Sequence, residues 1–248
     1  MKYYVTADVH GYCSLLRSAL TEAGFFRDAE PHKLLILGDL FDRGKEAAAM
    51  QEFILEQMEA DSVILIRGNH EDLYVSLVNE DEGCARTHHI HNGTYDTALQ
   101  LTGYDRVLAR RLNTLFAAAG RETPYYRRII PAMRDFFETE HYIFAHGWIP
   151  FVDERGVYRY GPDWRGAPEA EWVRARWTNG MDAAGICPEG KTVVCGHWHA
   201  SYGHAKYEHK GSEFGPDADH TPYYGSGIIA MDACTALSGK VNVLLLED

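Results

Sequence analysis

The sequence has no apolar run near the 18 or so residues needed to cross a membrane, so a transmembrane segment is not expected. It also has no Cys-x-x-Cys pair. Its five cysteines, Cys13, Cys84, Cys187, Cys195 and Cys234, are scattered and odd in number. That argues against a disulfide framework and for reduced thiols in the cytoplasm. Basic residues are scarce: 24 Lys and Arg stand against 36 Asp and Glu, a formal net charge of -12 with His neutral. General binding to nucleic-acid phosphates or anionic membrane surfaces is therefore not expected. A first strand starting at Lys2 leaves no room for a signal peptide, and the expected compartment is cytoplasmic. Internal repeats and low-complexity tracts are lacking as well.

What is present is a recurring design. Three apolar runs, 3–7, 34–37 and 63–66, each end in a polar turn. The turns read Asp8-Val9-His10-Gly11, Gly38-Asp39-Leu40-Phe41-Asp42-Arg43-Gly44 and Gly68-Asn69-His70-Glu71. Short apolar runs bounded by Gly read as buried strands. Apolar residues at 12, 15, 16, 19, 20 and 23, closed by Gly24, predict a one-sided helix. Those at 47, 50, 54, 55 and 58 predict another. Such a β-α-β-α-β order implies right-handed crossovers and a parallel sheet. Side chains just past its strands would occupy the carboxyl edge, where α/β proteins place their chemistry.

The rest of the chain is less regular. Residues 79–140 read as a helical insertion capping the sheet edge, with helices at 94–101, 104–118 and 124–137. Strands at 141–145 and 191–195 end at His146-Gly147-Trp148 and at Gly196-His197-Trp198-His199. Between them, 150–190 reads as loop with one helix near 168–176. The tract 200–226 reads as surface loop, and 227–232 with 240–246 as a closing hairpin. With 46% hydrophobic residues, the 248 residues suit a single domain.

Asp8 and His10, at i and i+2 on a strand end, would share a face and one cation. Asp39 offers two oxygens and can bridge two cations; Asn69 offers an amide oxygen, and His146 and His197 imidazoles. Such mixed ligands suit two divalent ions, Mn²⁺ first with Fe or Zn²⁺ as alternatives, over Ca²⁺ or Mg²⁺ alone. Two cations about 3.5–4 Å apart clamp a phosphate and acidify a bridging water, whose hydroxide attacks phosphorus. His70, not needed as a ligand, is the best general acid. Asp42 is placed to orient it, and Arg43 offers a planar fork to phosphate oxygens.

These three turns resemble the phosphoesterase motifs of the calcineurin-like metallophosphoesterases. The Asp-Arg-Gly and Asn-His-Glu endings are similar to the branch that holds serine/threonine phosphoprotein phosphatases and symmetrical bis(5'-nucleosyl)-tetraphosphatases. The resemblance, over about 8–240, implies a β-sandwich flanked by helices, with a helical cap at the insertion. It implies one metal on Asp8, His10 and Asp39 and a second on Asp39, Asn69, His146 and His197. It also implies a second phosphate-binding Arg near a Trp, for which Arg176 beside Trp177 is the candidate. A His at 199 departs from the phosphoprotein phosphatases; in the wider family that position ligates the first metal, so His199 joins the candidates.

The expected activity is hydrolysis of a phosphomonoester or phosphoanhydride on a phosphorylated small molecule or a phosphoprotein. The alternative is a catalytically silent metal-binding scaffold for a protein partner. Each Asp taken alone suits a turn or helix cap equally well; it is the three spaced motifs together that favour a site. His88, His89 and His91, like His204, His209 and His220, read as residues of exposed loops.

Overall fold

The computed structural model describes residues 1–80, 86–154, 157–161, 163–183 and 188–248. The strands are β1 (Lys2–Thr6), β2 (His32–Ile36), β3 (Val63–Leu65), β4 (Phe136–Glu138), β5 (Tyr142–Ala145), β6 (Phe151–Glu154), β7 (Val157–Tyr160), β8 (Thr192–His199), β9 (Tyr223–Gly225), β10 (Ile228–Asp232) and β11 (Leu244–Glu247). One sheet has the order β11-β1-β2-β3 and another β4-β5-β8-β10-β9, while β6 and β7 form a separate ribbon. β1, β2 and β3 are parallel, as are β5, β8 and β10.

Period-two alternation makes the two main sheets a sandwich. Tyr3, Val5, Leu35 and Leu37 of the first sheet meet Phe144, Val194, Ile229 and Met231 in one apolar layer. Tyr4, Leu34 and Ile36 point the other way. They pack on α1 (Cys13–Ala23) through Leu16 and Leu20 and on α2 (Ala47–Glu59) through Met50 and Ile54. Each such side chain, fully buried, contributes about 1.5–3 kcal/mol. Gly24 ends α1 at φ 92°, a left-handed turn that glycine adopts without a Cβ clash.

The third turn opens a helix earlier than its apolar pattern suggests. α3 (Asn69–Asn79) has Asn69 and His70 in its first turn. The insertion continues as α4 (Arg86–His91), α5 (Thr94–Thr102), α6 (Arg106–Arg111) and α7 (Asn113–Glu122), a π turn at Tyr125–Ile129 and α8 (Ile130–Ala132). Tyr95, Ala98 and Phe116 of this region join Phe41 and Tyr74 in the layer outside the first sheet. α5 also grips the turn after β2, since the Asp42 amide donates to Thr97 Oγ1 at 3.0 Å and Gln100 donates to the Gly44 carbonyl at 3.1 Å.

The second sheet is covered by α9 (Glu169–Arg176), α10 (Gly180–Ala183) and α11 (Ala200–Tyr207). Trp148, Trp172, Met181 and Ala200 meet Ile143, Val193 and Ala230 there.

Four local expectations change. The predicted helix 124–137 ends before Met133, and Phe136–Glu138 instead pairs antiparallel with β5, gaining a sheet partner for two aromatic residues. The expected loop 150–190 contains the β6–β7 ribbon. The expected surface loop 200–226 contains α11 and β9, with His204 buried in α11. The closing hairpin does not form: β10 lies beside β8, whereas β11 adds antiparallel to β1 in the other sheet. α12 (Thr235–Ser238) stands between them. Cys13, Cys195 and Cys234 are buried free thiols; Cys84 and Cys187 lie outside the described residues.

Candidate metal centre

The first sheet delivers its side chains through tight turns. Asp8, His10, Asp39, Asp42 and Arg43 all have positive φ, between 51° and 76°, and His197 of the second sheet has φ 67°. Left-handed backbone at non-glycine residues costs about 1–3 kcal/mol each and persists only where the surroundings enforce it. Asp8 and His10 thus reach the site through a tight turn, not along an extended strand end. The turns interlock: the His10 amide donates to the Asp39 carbonyl at 2.9 Å, and the Gly11 amide to the Leu40 carbonyl at 2.7 Å. A Cβ on Gly68 would strike Asp39 Oδ1 and one on Gly196 would strike Asp8 Oδ2, so both glycines allow carboxylates to approach the backbone.

Asp39 is at the centre, 2% exposed. Its Oδ1 accepts the His70 amide at 3.0 Å and lies 3.4 Å from His146 Nε2. Its Oδ2 lies 3.9 Å from His10 Nε2 and 3.8 Å from His70 Nε2. Burial alone would favour the neutral acid, but the imidazoles around it, His146 and His70 foremost, outweigh it and hold the carboxyl well below the usual carboxylate range. His10 and His197 are lowered as well, first by burial and then by their cationic or imidazole neighbours. His197 falls to about 3, so both rings stay neutral and keep a lone pair.

Backbone carbonyls decide which nitrogen carries that lone pair. His146 Nδ1 donates to the Leu37 carbonyl at 2.6 Å, and His10 Nδ1 to the Phe41 carbonyl at 3.0 Å. A neutral ring bonded in this way presents a bare Nε2. His146 Nε2 then faces Asn69 Oδ1 at 2.8 Å, and His197 Nδ1 faces the same oxygen at 2.9 Å. Lone pairs of Asp39, Asn69, His146 and His197 therefore converge. Within two triads, His10–Asp39–His70 and Asp39–His146–His197, the donor atoms lie within 4.8 Å of one another. Mixed oxygen and imidazole donors around a shared carboxylate fit divalent transition-metal ions.

Asp8 is fully buried, and both its oxygens accept the His197 amide, at 3.1 and 2.9 Å. Burial first, then Asp232 and Asp39, keep its carboxyl well above the usual range. His70, the expected acid, donates from Nδ1 to Asp42 Oδ2 at 2.7 Å, and Thr94 Oγ1 donates to the same oxygen at 2.6 Å. Burial lowers the proton affinity of His70, but the charges of Asp39 and Asp42 overcome it and raise its pKa. The Arg43 guanidinium donates to His10 Nε2 at 3.0 Å, and its other Nη lies 3.4 Å from His70 Nε2.

Two expected residues are placed elsewhere. Arg176 is 2% exposed and donates to Asp72 at 2.8 Å, to Glu169 from both Nη atoms at 3.1 Å, and to Asp135. Those bonds use all four Nη protons, which leaves no fork for a phosphate. His199 faces Glu213 at 3.1 Å and Asp232 at 3.8 Å.

Glu71, seen in the sequence only as a motif member, ties the turns together. Its carboxyl accepts the amides of Gly68 at 2.7 Å and of Asp39 and Leu40 at 3.0 Å, and the Tyr125 hydroxyl at 3.1 Å. Asp232 was missed, although it too ends an apolar run, Ile228 to Met231. Thr94 and Thr97 carried no signal, because only folding brings α5 to the β2 turn.

With this geometry in hand, the comparisons are consistent. The calcineurin-like phosphoesterase family model matches residues 1–201. The chain belongs to that family and is a hydrolase of the metal-dependent phosphoesterase class. Solved structures share the fold. A mutant of a cold-active protein tyrosine phosphatase is 17% identical at TM-score 0.59, over 100% of this chain and 75% of that one. The cold-active protein-tyrosine phosphatase of a psychrophilic Shewanella is 16% identical at TM-score 0.56, with the same coverage. A protein assigned as a diadenosine tetraphosphatase is 12% identical at TM-score 0.51, over 99% of this chain and 89% of that one. No curated protein sequence matches the chain. Among the described residues, no helix is long and apolar enough to cross a membrane.

Proposed function

We propose that the chain is one metallophosphoesterase domain hydrolysing phosphomonoesters or phosphoanhydrides with two divalent cations, Mn²⁺ foremost, in the cytoplasm. Asp8, His10 and Asp39 hold one cation, and Asp39, Asn69, His146 and His197 the other. What supports this reading is the convergence of Asp39, Asn69 and two bare imidazole nitrogens, acceptors with no proton to share among them. When bound, the cations supply Lewis acidity and an acidified water.

The chain's own residues do the rest. Arg43 orients the phosphoryl group through its fork. His70 holds its proton against Asp42 and Asp39 and delivers it from Nε2 to the leaving oxygen. We assign His70 to the acid role, although it also falls within donor distance of Asp39, because the Asp39 and Asp42 carboxylates overcome its burial and favour its protonated form. Arg176 is left out, since its Nη protons are spent on carboxylates.

The decisive variant is Asp39→Asn. Assayed on an aryl phosphate with Mn²⁺, it loses more than about 10³-fold in turnover, matching the several kcal/mol such ions supply. Full activity would remove the mechanism.

A further inference from the structure

Two large rings stand in solvent against His197 of the site, and a third against the neighbouring His199. Trp177 is 44% exposed, Trp198 36% and Phe214 53%. Trp177 meets the His197 ring at 5.8 Å and 82°, and Trp198 meets it at 6.1 Å and 62°. Phe214 meets the His199 ring at 4.9 Å. The rings come from three different segments: the end of α9, the strand β8 and the loop after α11. Exposed apolar surface next to a polar centre marks a place where a ligand sits.

Indole faces select a planar partner, because offset stacking and edge contacts form at centroid separations of about 4.5–7 Å. The charges at the site limit what that partner carries. Among the described residues, Arg43 alone of the cationic side chains contacts the site's histidines, and Arg176 is locked by carboxylates. The protein as a whole has a net charge of -12. Beyond the two cations, a polyphosphate chain has more charge to neutralise than a monoester, and the side chains here offer it a single fork.

We infer that Trp177 and Trp198 form a ring subsite beside the phosphate position, and that the substrate is a phosphate monoester whose alcohol carries a planar aromatic ring. This rests on the phosphoesterase reading above. Hydrolysis breaks the ester P–O bond, water supplies the oxygen that phosphate gains, and the ester oxygen leaves protonated as the ring-bearing alcohol. The two tryptophans set specificity; they take no part in the proton transfers.

Benzyl phosphate and cyclohexylmethyl phosphate test this, since both release a primary alcohol of similar bulk and only one is planar. With Mn²⁺, KM for the benzyl ester is about three- to tenfold lower, and the ratio falls to about one in Trp177→Leu and in Trp198→Leu. A merely structural role for the indoles would move both esters alike. Calorimetric binding of benzylphosphonate weakens in step. Equal KM values in the native protein, or an unchanged ratio in both variants, overturn the subsite. Faster hydrolysis of diadenosine tetraphosphate than of benzyl phosphate overturns the monoester class. Tryptophan-dependent binding of benzylphosphonate without turnover of either ester supports the subsite and removes the hydrolase reading.

Discussion

The two sheets contribute to the centre in different ways. The first supplies pairs and triplets from each turn: Asp8 with His10, Asp39 with Asp42 and Arg43, Asn69 with His70. The second supplies single imidazoles, His146 after β5 and His197 within β8. On the first sheet the turns bond to one another, and Glu71 holds two of them by their amides. On the second, each His is held by an opposite neighbour, the His146 ring by the Leu37 carbonyl and the His197 amide by Asp8. The comparison teaches that the first half is a self-supporting frame, whereas the second half is positioned by reaching across the sandwich.

The sharpest test within the frame is His70→Asn. It slows hydrolysis of esters with poor leaving groups by about 10²–10⁴-fold, with cation stoichiometry unchanged by calorimetry. A parallel loss of cation would make His70 a ligand.

Glu71→Ala probes what holds the frame. Three buried amides lose their acceptor, each at about 1–3 kcal/mol, so chemical denaturation detects about 3 kcal/mol or more of lost stability. An unchanged denaturation midpoint would show the turns to be held by their own bonds alone.

Arg176→Met separates the two guanidiniums. Its carboxylate partners are partly exposed, so breaking the cluster costs about 1–3 kcal/mol, less than a fully buried pair. KM for phosphate esters stays constant, whereas Arg43→Ala raises it. A raised KM in Arg176→Met would return Arg176 to the site.

The smallest effect concerns Glu138 in the second sheet, which pairs with Arg165 and Lys191. Arg165 first, with Lys191, outweighs the partial burial and depresses its carboxyl to about 2. A depressed folded-state value means that this stabilisation is present above the unfolded value near 4 and is lost as pH falls towards 2. Glu138 is 20% exposed and its Arg165 partner 34%, so solvent screens the pair to about 1 kcal/mol, and Glu138→Gln flattens the acid limb of the denaturation midpoint against pH by that amount. A native-like acid limb in the variant would show the pair to contribute nothing.

The legible parts were those with local causes. β1 to β3, α1 and α2 were readable because burial on alternate residues and on one helix face leaves a period in the sequence. Asp8, His10, Asp39, Asn69 and His70 were readable because each follows an apolar run. Thr94, Thr97, Tyr125 and Asp232 were not, since their neighbours in space are far away in the chain. β10 and β11 were misjudged as a hairpin because adjacency in sequence is a weak guide when two strands join different sheets.

The residues alone set which donor atoms the turns offer, since a carboxylate, an amide and imidazoles after buried strands keep them whatever the packing. Folding decided which of them meet. It took Arg176 into a carboxylate cluster and set His199 against Glu213 and Asp232. It also set two tryptophans in solvent beside His197, because side-chain direction depends on backbone angles and long-range contacts that no local pattern records.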